Sequence, residues 1–273
     1  MEEWTGLLQL AVADRGGKTV PKSVYFQGAF KVMRPIYHSA SGQACYYLLN
    51  PGGGYVDGDR YRMDITAEKD SRLTLTTQSA TKVYRTPRNH VYQEANFHLK
   101  GGSYLEYLPD ALIAYQQARY TQKTIIRMDP TATLFYSDIL TPGWSPENRH
   151  FSYEQLRLVT EIYMDDELVV FDHLKLQPAL HTMDALGVME GYTHVGTILA
   201  VREDITQDVI NRLHEELITS YDCRIGISRL STAGFTVRIL ANQTQVVERV
   251  IGQCHRFVSE EWFQEKPSFL RKY

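Results

Sequence analysis

Gln155-Leu156-Arg157-Leu158-Val159-Thr160-Glu161-Ile162-Tyr163-Met164 alternates residues facing one way with residues facing the other. Asp165-Asp166-Glu167 interrupts it, and Leu168–Leu176 runs back. Alternation, turn and alternation predict a β-hairpin. The same reading extends outward. Gly101-Gly102, between Asn96-Phe97-His98-Leu99 and Tyr104-Leu105-Glu106-Tyr107, predicts a second hairpin. Leu73–Thr77, Thr124–Met128 and Thr133–Tyr136 add further β-type runs. The predicted fold class is mainly β: many short, largely antiparallel strands forming packed sheets over residues 1–190. No fixed-length repeat is present, so a propeller or regular solenoid is not supported.

Residues 195–265 change character. Thr197–Val201 reads as a strand, and Thr206–Tyr221 as a helix with Val209, Ile210, Leu213, Leu217 and Ile218 on one face. Arg224–Arg229 and Phe235–Leu240 read as strands. Asn242 is a suitable N-cap for a second helix, in which Val246, Val247, Val250, Ile251, Cys254, Phe257 and Val258 recur at helical spacing. The expectation is a C-terminal strand-helix-strand-strand-helix subdomain containing two α-helices. No Pro/Gly-rich linker lies near residue 190, so residues 1–273 are expected to form a single domain.

Lys+Arg 29 against Asp+Glu 32 leaves a net charge of -3, which provides no basic footprint for nucleic acid. Hydrophobic residues at 43% and charged residues at 22% are enough to build a core. The longest unbroken apolar run, Ala44–Leu49, falls far short of the roughly 20 residues of a membrane span. The start, Met1-Glu2-Glu3-Trp4, lacks the basic-then-apolar pattern of a secretion signal. Cys45, Cys223 and Cys254 are too scattered for a disulfide framework. A soluble cytoplasmic protein with neither nucleic-acid nor membrane partner is expected.

The search for catalytic chemistry finds little. Asn50-Pro51-Gly52-Gly53-Gly54-Tyr55-Val56-Asp57-Gly58-Asp59 lacks the Gly-Lys-Ser/Thr ending of a phosphate loop. It reads either as a tight turn with glycines at positive φ or as a turn aiming Asp59 into a polar interior. There is no Gly-x-Ser-x-Gly elbow, no Cys-x-x-Cys, and no second histidine placed to make His214-Glu215 a zinc motif. Thr76-Thr77-Gln78-Ser79-Ala80-Thr81-Lys82-Val83-Tyr84-Arg85 is the most unusual stretch, dense in hydroxyls and ending in two cations. An edge strand with a solvated polar face is the plain account of it.

Several segments together resemble the urease accessory protein UreD (UreH) family. They are Gly53-Gly54-Tyr55-Val56-Asp57-Gly58-Asp59, the Thr76–Arg85 run, Leu105-Glu106-Tyr107-Leu108-Pro109-Asp110, Asp138-Ile139-Leu140, and Glu147–Leu176 with its long hairpin. Order and spacing hold across roughly residues 20–240, and the Thr76–Arg85 run is specific by itself. Ala111, Ala114 and Gly143-Trp144 depart from the family pattern.

The resemblance implies a non-enzymatic maturation factor, a metallochaperone scaffold. It would assemble with UreF and the GTPase UreG and dock on apo-urease, also as a dimer of such heterocomplexes, so that nickel enters the urease active site. It also implies a water-filled passage for the ion. Imidazole and thiolate would trap Ni²⁺, whereas carboxylates, hydroxyls and water hold it weakly and lower the cost of burying its charge.

Asp59, Asp138 and Asp172, with Glu106 as a weaker fourth, are the acids that the resemblance places along such a passage. On Asp172-His173, alternation allows only one side chain to face inward. Thr76, Thr77, Thr81, Lys82, Tyr84 and Arg85 match the family's polar strand and would form the wall, with Lys82 and Arg85 neutralising nearby acids. Gly53, Gly54 and Gly58 form the tight turn. No catalytic residue, no stable metal site and no tightly bound cofactor are expected, only nickel in transit. Two other readings stay open: a β-rich hydrolase using a carboxylate pair such as Asp138 and Asp172, and a pure protein-interaction module.

Overall fold

In the computed structural model, which describes residues 3–217, 222–267 and 270, Gln155–Met164 and Glu167–Leu176 pair antiparallel. Asp165 (φ 48°) and Asp166 (φ 62°) form the turn, both left-handed as a type I′ hairpin requires. In chain order the strands are β1 (Gly6–Asp14), β2 (Thr19–Gly28), β3 (Lys31–Val32), β4 (Ala44–Leu49), β5 (Arg60–Ala67), β6 (Arg72–Thr77) and β7 (Thr81–Val83). Next come β8 (Val91–Leu99), β9 (Tyr104–Leu108), β10 (Leu112–Ala114), β11 (Arg119–Met128), β12 (Thr133–Leu140), β13 (Gln155–Met164) and β14 (Glu167–Leu176). The chain ends with β15 (His194–Val201), α1 (Gln207–Glu216), β16 (Cys223–Arg229), β17 (Gly234–Ala241) and α2 (Thr244–Phe263).

The strands make two packed sheets. A seven-stranded sheet runs β14-β13-β11-β8-β5-β1-β2. A ten-stranded sheet runs β16-β17-β15-β12-β9-β6-β4-β3, with β10 beside β12 and β7 beside β10. The fold is therefore mainly β with two helices, but the expected largely antiparallel pairing is corrected. The centres of both sheets are parallel: β1-β5-β8-β11-β13 in one, β4-β6-β9-β12 in the other.

The second predicted hairpin shows why. β8 lies in the seven-stranded sheet and β9 in the ten-stranded one, so Gly101-Gly102 is a corner between sheets. Gly102 sits at φ +68°, where a Cβ would come within 2.2 Å of Asp70 Oδ1. Each such corner sends the chain across rather than back, and the next strand of the same sheet arrives one circuit later in the same direction. Arg60 thus lies opposite Tyr92, Tyr92 opposite Thr121, and Thr121 opposite Arg157. Antiparallel pairing is left to the flanks: β1-β2, β13-β14, β3-β4 and β12-β15-β17-β16.

The core follows this coil. Leu10, Ile65, Phe97, Ile126 and Ile162 form one ladder, each exposed by 2% or less. Ala44, Leu73, Leu105, Leu134 and Val201 form the facing ladder, all at 0%. Each large side chain so buried contributes about 1.5–3 kcal/mol.

The other face of the ten-stranded sheet is covered by the helices. Val247, Val250, Cys254 and Val258 of α2 pack with Phe135, Ile198 and Ile239 of the sheet, and Val209, Ile210 and Leu213 of α1 bury their predicted stripe. Thr206 caps α1, its hydroxyl accepting from Val209 N at 3.4 Å. Ile218 and the rest of the predicted run to residue 221 lie outside the described residues. The Asn242 cap is corrected: Gln243 occupies the cap of α2 without a side-chain bond. Asn242 Oδ1 instead accepts from the Thr193 hydroxyl at 3.4 Å. No helix among the described residues is long and apolar enough to cross a membrane.

Candidate functional site

Between the sheets, the side chains leave a cavity of about 70 Å³, room for several waters. Most of its polar lining comes from the Gly53-Gly54-Tyr55 loop, the corner from Thr77 to Lys82 between β6 and β7, and inward side chains of β8, β9, β11 and β12, with Asp110 beside them. The loop and the corner are locked together. Tyr55 N donates to the Lys82 carbonyl at 2.7 Å, and Tyr84 N donates to the Tyr55 carbonyl at 2.8 Å. A Cβ on Gly54 would come within 2.7 Å of the Tyr84 ring and 2.9 Å of the Lys82 carbonyl, so only glycine permits this approach. Gly53, at φ +76°, turns the chain into it.

The corner carries the hydroxyl-rich run. It is two short strands and a bend rather than a single edge strand, because Gln78-Ser79-Ala80 break the ladder between β6 and β7. The Thr77 hydroxyl donates to Asp110 Oδ2 at 2.9 Å and accepts from Asp110 N at 2.7 Å. The Thr76 hydroxyl donates to the Leu108 carbonyl, and Thr81 N donates to the Ala111 carbonyl at 3.0 Å. Thr77, Thr81 and Lys82 line the cavity, and Thr76 is fully buried beside it.

The inner wall is a chain of uncharged donors ending in a carboxylate. Tyr55 OH donates to Gln93 Oε1 at 2.8 Å, and Tyr120 OH donates to Gln122 Oε1 at 3.0 Å. Gln122 Nε2 donates to Tyr136 OH at 3.3 Å and to Asp138 Oδ2 at 3.4 Å; Tyr136 OH donates to the same carboxylate oxygen. Burial holds the Tyr55, Tyr120 and Tyr136 phenols well above 10, so they remain neutral donors. Burial also lifts the Asp138 carboxyl from 3.8 to about 7, against the hydrogen bonds from Tyr136 and Gln122. Asp138 is therefore poised between its charged and neutral forms near neutrality.

Beyond Asp138 the two sheets are tied by charge. Asp138 lies opposite Thr197, and Thr197 opposite Arg238. The Arg238 guanidinium reaches from the ten-stranded sheet to Asp172 on edge strand β14 of the other sheet, and it donates to the Thr197 hydroxyl on the way. Among the described residues, no group of three or more His, Cys, Asp and Glu side chains is arranged to hold a metal ion.

A family model described as UreD urease accessory protein matches residues 5–272. A protein of Lachnoclostridium phytofermentans named Urease accessory protein UreD is 46% identical over 274 residues, covering 100% of both chains. One of Staphylococcus aureus with the same name is 42% identical over 275 residues, covering 100% of this chain and 99% of its own. The chain belongs to the UreD family of urease accessory proteins. That family is named for an accessory role, not for a catalytic activity.

In this UreD-family chain the remaining predicted residues fall in different places. Asp172 turns inward, opposite the buried Thr160, while His173 faces outward to Arg157 at 3.3 Å. Asp59 does not line the cavity. Its carboxylate turns back on its own loop, accepting from Val56 N at 2.8 Å, Tyr61 OH at 2.9 Å and Thr5 OH at 3.2 Å. Gly58, at φ +81°, makes that reversal.

Glu106 is corrected more sharply. Alternation on β9 sends Leu105 and Tyr107 toward the other sheet and Glu106 toward α2. There it meets His255 Nε2 at 2.9 Å and accepts from Tyr104 OH and Thr74 OH, both at 2.7 Å. Burial alone would raise this carboxyl, but the charge of His255 and these hydrogen bonds hold it down at about 2. Tyr84 OH reaches the Gly53 carbonyl at 3.4 Å and staples the loop, whereas Arg85 is exposed and outside the lining.

Sequence reasoning missed Gln93, Gln122, Tyr120 and Arg238. Gln122 had a signal, since it alternates in phase with Thr124 and Ile126. Arg238 reads as a solvent-facing break in an apolar strand. It faces away from the helices because Phe235, Val237 and Ile239 take the helix side.

Proposed function

We propose that this chain serves nickel insertion into urease in the cytoplasm, as both scaffold and conduit. It assembles with UreF and the GTPase UreG, docks on apo-urease, and passes Ni²⁺ through the cavity between its sheets. The observation that carries the reading is the cavity's donor set: phenol and threonine hydroxyls, glutamine amides, and the carboxylates of Asp110 and Asp138. Such oxygen donors bind a divalent ion weakly and release it, whereas a cluster of imidazoles or thiolates would retain it. A carboxyl near half-protonation strengthens this. An arriving cation displaces the proton and is compensated in a medium where bare charge is costly, and its departure lets the proton return.

The wall residues have a distinct part. Thr76, Thr77 and Thr81 hold the corner through backbone and side-chain hydrogen bonds, and Lys82 sets the charge at the loop end of the cavity. Protonated lysine offers no lone pair and is not a ligand. The test is the nickel content of urease co-produced with UreF, UreG and single variants. Asp138→Ala is expected to lower nickel per urease at least severalfold with the complex still assembled, while Asp59→Asn stays close to wild type. Full loading by Asp138→Ala in an intact complex would refute the conduit.

A further inference from the structure

Outside the cavity lining, the gap between the sheets is crossed by a positively charged side chain, Arg238. Asp138 lines the cavity; Thr197, Arg238 and Asp172 do not. Asp138, Thr197 and Arg238 make a row across β12, β15 and β17, on the face that looks toward the other sheet. The Arg238 guanidinium donates to Thr197 and pairs with Asp172, so one fork bridges the two sheets. Its side chain is 37% exposed and that of Asp172 26%, which puts the bridge where the interior meets solvent. Both charges are near enough to act on Asp138, Asp172 raising its carboxyl and Arg238 lowering it.

We propose that Arg238 is a resident counter-cation that gates the Asp138 side of the cavity, occupying the carboxylate contact a divalent ion would otherwise take. The inference rests on the conduit reading above. Paired with Arg238, Asp172 is not available to hold an ion together with Asp138, so the ion does not settle between the two acids. Because the pair is partly exposed, solvent screens it and it opens readily. An incoming divalent cation, or a partner surface that draws Asp172 away, exchanges with the guanidinium instead of adding to it. The design also accounts for an arginine here in place of a neutral residue: it keeps the exit neutral when no ion is present. Lysine would retain the charge and lose only the fork.

The experiment is equilibrium dialysis of the full-length chain against Ni²⁺ alone at neutral pH and subsaturating metal. Arg238→Gln is expected to retain at least tenfold more Ni²⁺ than wild type. Arg238→Lys, which keeps the charge but loses the fork that reaches both Thr197 and Asp172, should fall between wild type and Arg238→Gln. Adding Asp172→Asn to Arg238→Gln should abolish the gain. Folding is checked by thermal melting and near-ultraviolet circular dichroism. Should Arg238→Gln not fold, Thr197→Val, which removes one anchor of the guanidinium, is expected to raise retention in the same direction. A folded Arg238→Gln, or in its place Thr197→Val, that retains no more Ni²⁺ than wild type overturns the gate. Dialysis needs no urease, so this failure strikes Arg238 alone, whereas normal urease loading by Asp138→Ala strikes the conduit.

Discussion

Burial raises the Asp138 carboxyl to about 7, and the hydrogen bonds and the Arg238 charge that favour its ionised form offset only part of that rise. For an acid whose folded value lies above its unfolded one, the folded state binds the extra proton between the two. Stability is then greatest near and below pH 4 and declines as pH rises toward 7, where the loss is complete. Asp138→Asn removes the titration. Its stability advantage over wild type in urea unfolding should grow by about 3 kcal/mol between pH 4.5 and pH 8, at about 1.4 kcal/mol per unit. An advantage that does not change with pH would contradict the assignment. A residue that costs stability at working pH and is kept in a cavity fits a functional role better than a packing role. Glu106 is the opposite case: its lowered carboxyl contributes stability that is fully present above about pH 4.5 and is lost progressively as pH falls toward about 2, as a structural ion pair should.

The β13–β14 hairpin is the element that its own residues specify most completely. Asp165 and Asp166 both sit in the left-handed region, where a residue with a Cβ is strained. Asp166→Gly should therefore stabilise the chain by about 0.5–1 kcal/mol, read as a higher urea midpoint at unchanged slope. A lower midpoint would mean that the aspartate makes a compensating contact.

The hairpin was legible because its turn closes on strands of one sheet. Gly101-Gly102 looks the same in sequence yet joins β8 to β9 across the two sheets. A period of two reports that a strand is pleated; it does not report which sheet receives the next strand, so the coil stayed hidden. The same blindness misplaced Glu106. Between Leu105 and Tyr107, in a sheet buried on both faces, alternation gives no phase relative to solvent. Asp172 came from the family resemblance: alternation on edge strand β14 admitted one of Asp172 and His173 inward without saying which, and the solvated face took His173. The meeting of Gly54 with Tyr84 and Lys82 depends on a corner between parallel rungs, and no local pattern announces it.

Across the whole molecule, two hydrophobic cores share one sheet. The inter-sheet core includes Leu105, Leu134 and Val201, while Tyr104, Phe135 and Ile198, on the opposite face of the same strands, belong to the core under the helices. Strand β12 contributes to both, so neither core can open without disturbing the other. We therefore propose that the chain is a single cooperative domain. Unfolding followed at 222 nm, which reports the helices, should coincide with unfolding followed by the near-ultraviolet tyrosine signal of the inter-sheet core. Two separated transitions would divide the chain in two.

At this scale the cavity is a gap between the two sheets, and the exposed residues of its lining, Gly53 and Ser79, lie where the Gly53-Gly54 loop meets the β6–β7 corner. Ala80 lies on that corner, half-buried and lining the cavity, away from both core ladders. Ala80→Trp plugs the opening without touching Asp138. The most direct measurement is nickel per urease active site after co-production with this variant and the complete accessory set, with complex assembly checked by pull-down. A severalfold drop in nickel with normal assembly is expected if the ion travels between the sheets. Wild-type nickel content with the plug in place would contradict it.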